Sequence, residues 1–243
     1  MIRQAVKIKN LTKIFDKRIK AVDNISFDVH ENEIFGLLGS NGSGKSTTLR
    51  IIATVLEPNS GKITFRDADG DRNKIRNIIG YIPQQDLLYG DLSVIDNLYL
   101  FSYSYNLLKK QRDKRIKELL DILELTKYRD YFVSSLSGGY KKRLSIATAL
   151  LHHPKIIIAD EITIGLDPDL RGKIWQLLKN LRKEASIIFT THYLEEAEKL
   201  CDRIALMDLG KILAYGKPKK IIENNNCKNL DDVFHKLVVN KKK

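Results

Sequence analysis

Gly39-Ser40-Asn41-Gly42-Ser43-Gly44-Lys45-Ser46-Thr47 decides the reading of this chain. The segment fits Gly-x-x-x-x-Gly-Lys-Ser, a loop whose glycines let backbone N–H groups turn inward around phosphate oxygens. Ahead of it, Glu33-Ile34-Phe35-Gly36-Leu37-Leu38 is the apolar run of a buried strand. Behind it, residues 48–56, Thr48 to Leu56, read as a helix. Strand, glycine loop and helix in that order separate a nucleotide site from a glycine turn that happens to hold a lysine. The helix N-terminus adds its positive dipole end. Lys45 is expected to reach the β- and γ-phosphates, and the Ser46 hydroxyl to bind Mg²⁺.

A chain of 243 residues builds one substantial core, with room for two lobes. At 43% hydrophobic and 30% charged residues it has the composition of an ordinary soluble globular protein. No apolar stretch approaches the ~20 residues that a membrane helix needs. Met1 to Ile8 alternates as a strand does, so a signal peptide is not expected. Cys201 and Cys227 are isolated and lack metal spacing, which suits reduced thiols in a cytoplasmic protein. The net charge of +12 suits an anionic partner or a lysine-rich solvated surface. No basic stripe interleaved with aromatics is present, so nucleic acid is not expected as a partner.

Strand patterns occupy residues 5–9, 25–29, 33–38, 62–66 and 78–82. From Ser93 to Leu125 the pattern becomes helical, with Ile116, Leu119, Leu120 and Leu123 at helical spacing. Strands return at 156–159 and 187–190, and Pro168 to Arg182 between them reads as a helix. This alternation predicts an α/β fold with a mostly parallel sheet covered on both faces. Residues 1–83 and 153–216 then form the core, 84–152 an inserted helical subdomain, and 217–243 a C-terminal extension that the nucleotide pocket does not need.

Ile156-Ile157-Ile158-Ala159-Asp160-Glu161 brings two acids to the carboxyl end of a buried strand, where ligands of parallel sheets bind. Asp160 is expected to hold Mg²⁺ beside Ser46. Glu161 is the candidate general base for water attacking the γ-phosphate. Leu136-Ser137-Gly138-Gly139 precedes a helix from Tyr140 to about Leu151. Ser137 is expected to cap that helix, and the glycines to expose a second anion-binding N-terminus.

Taken together, the chain resembles the ATP-binding cassette (ABC) family of transport ATPases over residues ~5–216. Gly39 to Thr47 matches the Walker A loop, and Ile82-Pro83-Gln84 the Q-loop. Leu136 to Gly139 matches the signature, and Ile156 to Glu161 the Walker B strand. Gly165-Leu166-Asp167 matches the D-loop, and Thr190-Thr191-His192 the switch histidine. The resemblance implies a P-loop NTPase core, an N-terminal antiparallel β subdomain and the inserted α-helical subdomain. It implies that ATP and Mg²⁺ are bound, with Gln84 as a further metal and catalytic residue, and that Phe15 stacks on adenine. Two positions depart from the family pattern: Tyr140 stands where glutamine is common, and Ile162 where proline usually follows the Walker B glutamate.

The Walker loop already grips nucleotide from one side, and the signature has no phosphate of its own. A head-to-tail dimer, homodimer or paralogous heterodimer, places each signature over the other chain's ATP, with Asp167 at the interface. With no membrane span, the chain implies a separate integral membrane permease, which Asp86 to Asn97 would receive, and a place on the cytoplasmic face of the membrane. Phe35 to Gly39, Thr190 to Glu198 and Leu230 to Phe234 resemble the drug and polysaccharide exporter branch. An import subunit shares the same chemistry. A soluble ribosome- or nucleic-acid-associated ABC protein usually carries two cassettes or long coiled coils, and neither occurs here.

Overall fold

A long hairpin opens the chain. Gln4–Phe15 (β1) and Ile19–His30 (β2) pair antiparallel along most of their length. A computed structural model gives this fold and describes residues 3–16, 18–68, 70–105 and 107–239. The hairpin is longer than its alternation suggests because the register shifts near Asn10 and Asn24. Both asparagines have positive φ, 49° and 52°, and their side chains hydrogen-bond at 2.9 Å. Such bulges put an extra residue into the ladder and break the period of two.

Ile34–Gly39 (β3) is buried at every position, as a strand covered on both faces must be. Lys45–Ile52 (α1) follows the glycine loop and ends earlier than its apolar run, where Thr54 turns to a φ of 59°. Ser60–Phe65 (β4) returns to β1 and completes a three-stranded antiparallel sheet in the order β2-β1-β4. Arg72–Ile78 (α2), unforeseen in the sequence, is capped by the Asp71 carboxylate and leads into Ile79–Ile82 (β5).

Between β5 and the next strand the chain is helical. Val94–Ser102 (α3) is capped by Ser93, whose hydroxyl accepts the Asp96 N–H. Lys109–Ile122 (α4) buries Ile116, Leu119 and Leu120 on the face that its spacing predicts. Gly138–Leu150 (α5) completes the block. Ile156–Asp160 (β6), Pro168–Leu181 (α6) and Ser186–Thr191 (β7) restore the alternation. Leu194–Leu200 (α7) leads into two more strands, Arg203–Asp208 (β8) and Lys211–Gly216 (β9), joined through Leu209 and Gly210 at positive φ.

Among the described residues the main sheet has six strands in the order β5-β6-β7-β3-β8-β9. It is parallel except where β9 turns back on β8. One apolar cluster joins the antiparallel sheet and α1 to one face, through Leu37, Leu49 and Ile158. Another joins the helical block to the other face, through Ile34, Leu98, Leu144 and Ile157.

Pro218–Asn224 (α8) starts where the sequence places the C-terminal extension, yet the core does not stop there. Ile221, together with Leu230 and Val233 of Leu230–Phe234 (α9), packs in one buried cluster with Leu38, Leu194 and Ile204. Leu230 is 1% exposed. Leu230→Ala is expected to lower the unfolding free energy by roughly 2–5 kcal/mol. Urea denaturation followed by far-ultraviolet circular dichroism measures it, and a loss below about 0.5 kcal/mol, the range of ordinary surface substitutions, would contradict this packing.

Candidate functional site

Two glycines let the loop after β3 close on itself. At Gly39, φ is 152°, and a Cβ would lie 2.2 Å from the Met207 carbonyl oxygen. At Gly44, φ is 102°, and a Cβ would lie 2.2 Å from the carbonyl oxygen of Ala21 on β2. No side chain caps α1, and no acid sits in its first turn, so its N-terminal N–H groups and dipole face the loop. Lys45 is 4% exposed, and its Nζ donates to the carbonyls of Gly39 and Ser40, both at 2.9 Å. Burial pushes the pKa of this ammonium down, and the Glu161 and Asp160 carboxylates oppose that shift.

The acids arrive at the end of β6. Asp160 is fully buried, and its Oδ1 accepts from Ser46 Oγ at 2.9 Å and Thr190 Oγ1 at 2.6 Å. Its Oδ2 is buried with no hydrogen-bond partner. Glu161 turns to a φ of 50°, which carries its side chain out of the strand line. Its N–H donates to Thr190 Oγ1 at 3.0 Å. Its carboxylate accepts from Gln84 Nε2 at 2.8 Å, and His192 Nδ1 stands 3.8 Å from its other oxygen. Ile162, in place of proline, is buried at 1% exposure, and the turn after Glu161 closes through Ile164 N–H to the Glu161 carbonyl.

One cavity of about 580 Å³ has Asn41, Gly42, Gly44, Lys45, Ser46, Thr47, Gln84, Glu161 and His192 in its wall, and Asp160 is not among its lining residues. The sequence reading missed Ala21 and Ile164, which also line it, and the Thr190 hydroxyl, which binds both acids' turns. Ala21 meets the loop through its backbone carbonyl against Gly44, so no residue pattern announces it. Phe15 is not in the wall. It stands 37% exposed at the end of β1, with the Lys13 ammonium 5.3 Å from its ring centroid. No group of three or more His, Cys, Asp and Glu side chains suited to a metal occurs among the described residues.

Ser137, Gly138 and Gly139 lie at the start of α5, but Ser137 does not cap it as expected: its side chain makes no cap hydrogen bond, and the residue is exposed. The backbone alone turns the chain there. A separate hollow of about 240 Å³ involves Ser137, Gly139, Tyr140, Arg143 and Asp167 and shares no lining residue with the Lys45 cavity. The Asp167 carboxylate is occupied as the cap of α6, accepting the Leu170 N–H at 2.9 Å. Tyr140 leans on Tyr128, ring centroids 4.1 Å apart, with the Arg143 guanidinium over its own ring.

A family model described as "ABC transporter" matches residues 22–164, which takes in the glycine loop, the signature and both acids. The chain belongs to the ABC transporter family. Its curated relatives include "Nod factor export ATP-binding protein I" of Cupriavidus metallidurans, 38% identical over 222 residues, 90% of this chain and 73% of the relative. The protein of the same name from Bradyrhizobium diazoefficiens is 36% identical over 237 residues, 96% of this chain and 77% of the relative. Among solved structures, an ATP-binding subunit of an ABC transporter superposes with a TM-score of 0.86 at 29% identity, covering 96% of this chain and 99% of that one. An ATP-binding cassette solved as a dimer in a post-hydrolysis state with ADP and Pi gives a TM-score of 0.78 at 33% identity, covering 87% and 98%. This protein is therefore an ATP-binding, ATP-hydrolysing subunit of an ABC transporter.

Lys45 is the only side-chain cation in the loop. Lys45→Ala is expected to weaken ATP binding roughly 10- to 100-fold, the worth of one or two hydrogen bonds to a charged group. Isothermal calorimetry reads it, and unchanged affinity would remove Lys45 from the phosphate site.

Proposed function

We propose that this ABC ATPase powers export through a separate membrane subunit, with Glu161 as the base that activates water against the γ-phosphate. The observation that carries the chemistry is the placement of Glu161. Its carboxylate is 7% exposed, is held by the Gln84 amide, faces His192 and lines the same cavity as Lys45 and Ser46. A base fixed in this way meets a water in line with a phosphate gripped by the loop. His192 steadies the Glu161 side of the cavity. Gln84 holds Glu161 through its amide nitrogen, which leaves its amide oxygen as the atom it would offer to a metal.

Ser46 and Asp160 fit Mg²⁺. The orphaned, buried Oδ2 of Asp160 beside the Ser46 hydroxyl offers the hard oxygens that the ion prefers, with nucleotide oxygens and water completing the shell. When bound, the ion neutralises phosphate charge. Phe15 is proposed to stack on adenine, since it is an exposed ring on the hairpin that also supplies Ala21 to the cavity.

Export as the direction rests on the names of the relatives, which describe export ATP-binding proteins. No helix among the described residues is long and apolar enough to cross a membrane, and the working assembly takes its membrane path from another chain at the cytoplasmic face. Leu87 and Tyr89 are 68% and 55% exposed within the stretch proposed to receive that chain. We further read the working unit as a head-to-tail dimer in which the exposed Ser137 hydroxyl and the Gly138 and Gly139 N–H groups close on the partner's ATP, with Asp167 at the interface.

Glu161→Gln keeps the side chain's shape and loses proton abstraction. Turnover is expected to fall roughly 10²–10⁴-fold while ATP binding survives. Near wild-type turnover would exclude Glu161 as the base. The dimer has its own test. A Cβ at Gly139 would point at Leu170 Cδ2, 2.8 Å away, whereas one at Gly138 meets nothing within 4 Å. Gly138→Asp therefore puts a carboxylate on the open signature face, where it repels phosphate. In the Glu161→Gln background it should abolish ATP-dependent dimerisation on size exclusion and leave monomer ATP affinity within about 2-fold, because an exposed change that leaves the loop intact is worth no more than about 0.5 kcal/mol there. Dimerisation that persists would overturn the head-to-tail arrangement.

A further inference from the structure

Glu196 is a buried carboxylate that the chemistry above leaves unused. It lies in the first turn of α7 and is 1% exposed. Its Oε2 accepts two hydroxyl hydrogen bonds, from Thr163 Oγ1 at 3.0 Å and from Thr191 Oγ1 at 2.8 Å. Its Oε1 is buried without a hydrogen-bond partner and stands 3.7 Å from Nε of Arg171 on α6. The Arg171 guanidinium in turn lies over the Tyr193 ring, 4.8 Å from its centroid.

The two threonines belong to the turns that carry Glu161 and His192. Thr163 is two residues beyond Glu161. Thr191 immediately precedes His192, and its Oγ1 also accepts the Tyr193 N–H at 3.0 Å, spanning the histidine. One carboxylate oxygen therefore fastens together two turns whose side chains meet 3.8 Å apart. Ile162 lacks the ring with which a proline would fix φ, so hydrogen bonds do the restraining in the Glu161 turn. Glu196 does not line the nucleotide cavity.

We propose that Glu196 is a positioning residue for ATP hydrolysis, its carboxylate clamping the Glu161 turn to the His192 turn and so setting the geometry between base and histidine. The inference rests on Glu161 being the base, and the experiment keeps the two separable.

Steady-state ATPase rates of the full chain, normalised to bound ATP, are compared for wild type, Glu196→Ala, Glu196→Gln, Thr163→Val, and Glu161→Gln with and without Glu196→Ala. Losing both hydrogen bonds in Glu196→Ala should lower kcat about 10- to 30-fold with KM for ATP within about 2-fold. Thr163→Val keeps the volume and loses one bond, so kcat should fall about 3- to 5-fold. Glu196→Gln keeps an acceptor oxygen on the hydroxyls and should return kcat to within about 3-fold of wild type. In the Glu161→Gln background, Glu196→Ala should cost less than about 2-fold more, because residues that act as one unit are not additive.

An additive loss in that background, a higher KM with unchanged kcat, or a glutamine variant as slow as the alanine one would each overturn the clamp. Should Glu196→Ala not fold, an unchanged kcat in Thr163→Val overturns it by itself. Wild-type turnover in Glu161→Gln alone would instead sink the base assignment, and the clamp with it.

Discussion

One carboxylate oxygen organises this protein's site. Oδ1 of Asp160 accepts hydroxyl hydrogen bonds from Ser46 at the start of α1 and from Thr190 near the end of β7. A fully buried carboxylate without such donors is expensive, so the fold is under pressure to keep both. The first bond sets the height of α1 against the sheet and with it the direction of the phosphate loop. The second brings Thr190 close enough to receive the Glu161 N–H. Loop, helix, strand end and base thus hang on one relay of oxygen atoms. The relay crosses β6, β7 and α1, which pack as neighbours only because the sheet is parallel there.

The parts of this arrangement that the sequence reveals are those written locally. The glycine loop, the apolar run ending in Asp160 and Glu161, and the triplet Thr190-Thr191-His192 each sit at the carboxyl end of a strand. A parallel sheet gathers such ends at one edge. What escaped the sequence depends on long-range packing or on backbone. The bulges at Asn10 and Asn24 interrupt an alternation that is continuous in space. β8 and β9 are joined through Leu209 and Gly210, both at positive φ, and the leucine at 45° masks a turn that the glycine alone announces. Ser137 looks like a helix cap, but its hydroxyl makes no cap hydrogen bond. Glu196 is the sharpest case. Glu195, Glu196 and Glu198 look alike as acids near a helix N-terminus, where negative charge is favourable. Only the packing of α7 on β3 and β7 turns the middle one inward.

The same dependence on packing explains the C-terminal helices. The stretch 217–229 is basic and asparagine-rich, which reads as the start of an appendage. Three apolar residues, Ile221, Leu230 and Val233, nevertheless complete the cluster that seats α7. The Leu230 N–H also donates to Glu198 Oε1 on the same helix, at 2.6 Å. The helix that carries Glu196 is therefore held on one side by the sheet and on the other by α8 and α9.

The contact between Gly44 and the Ala21 carbonyl is made by backbone on both sides. Any amino acid at position 21 presents the same oxygen, whereas position 44 admits no Cβ at all. The two halves of one contact therefore differ completely in their tolerance of substitution. Surveying side chains alone would credit the loop with every constraint and the hairpin with none, although a shift of either one displaces the other.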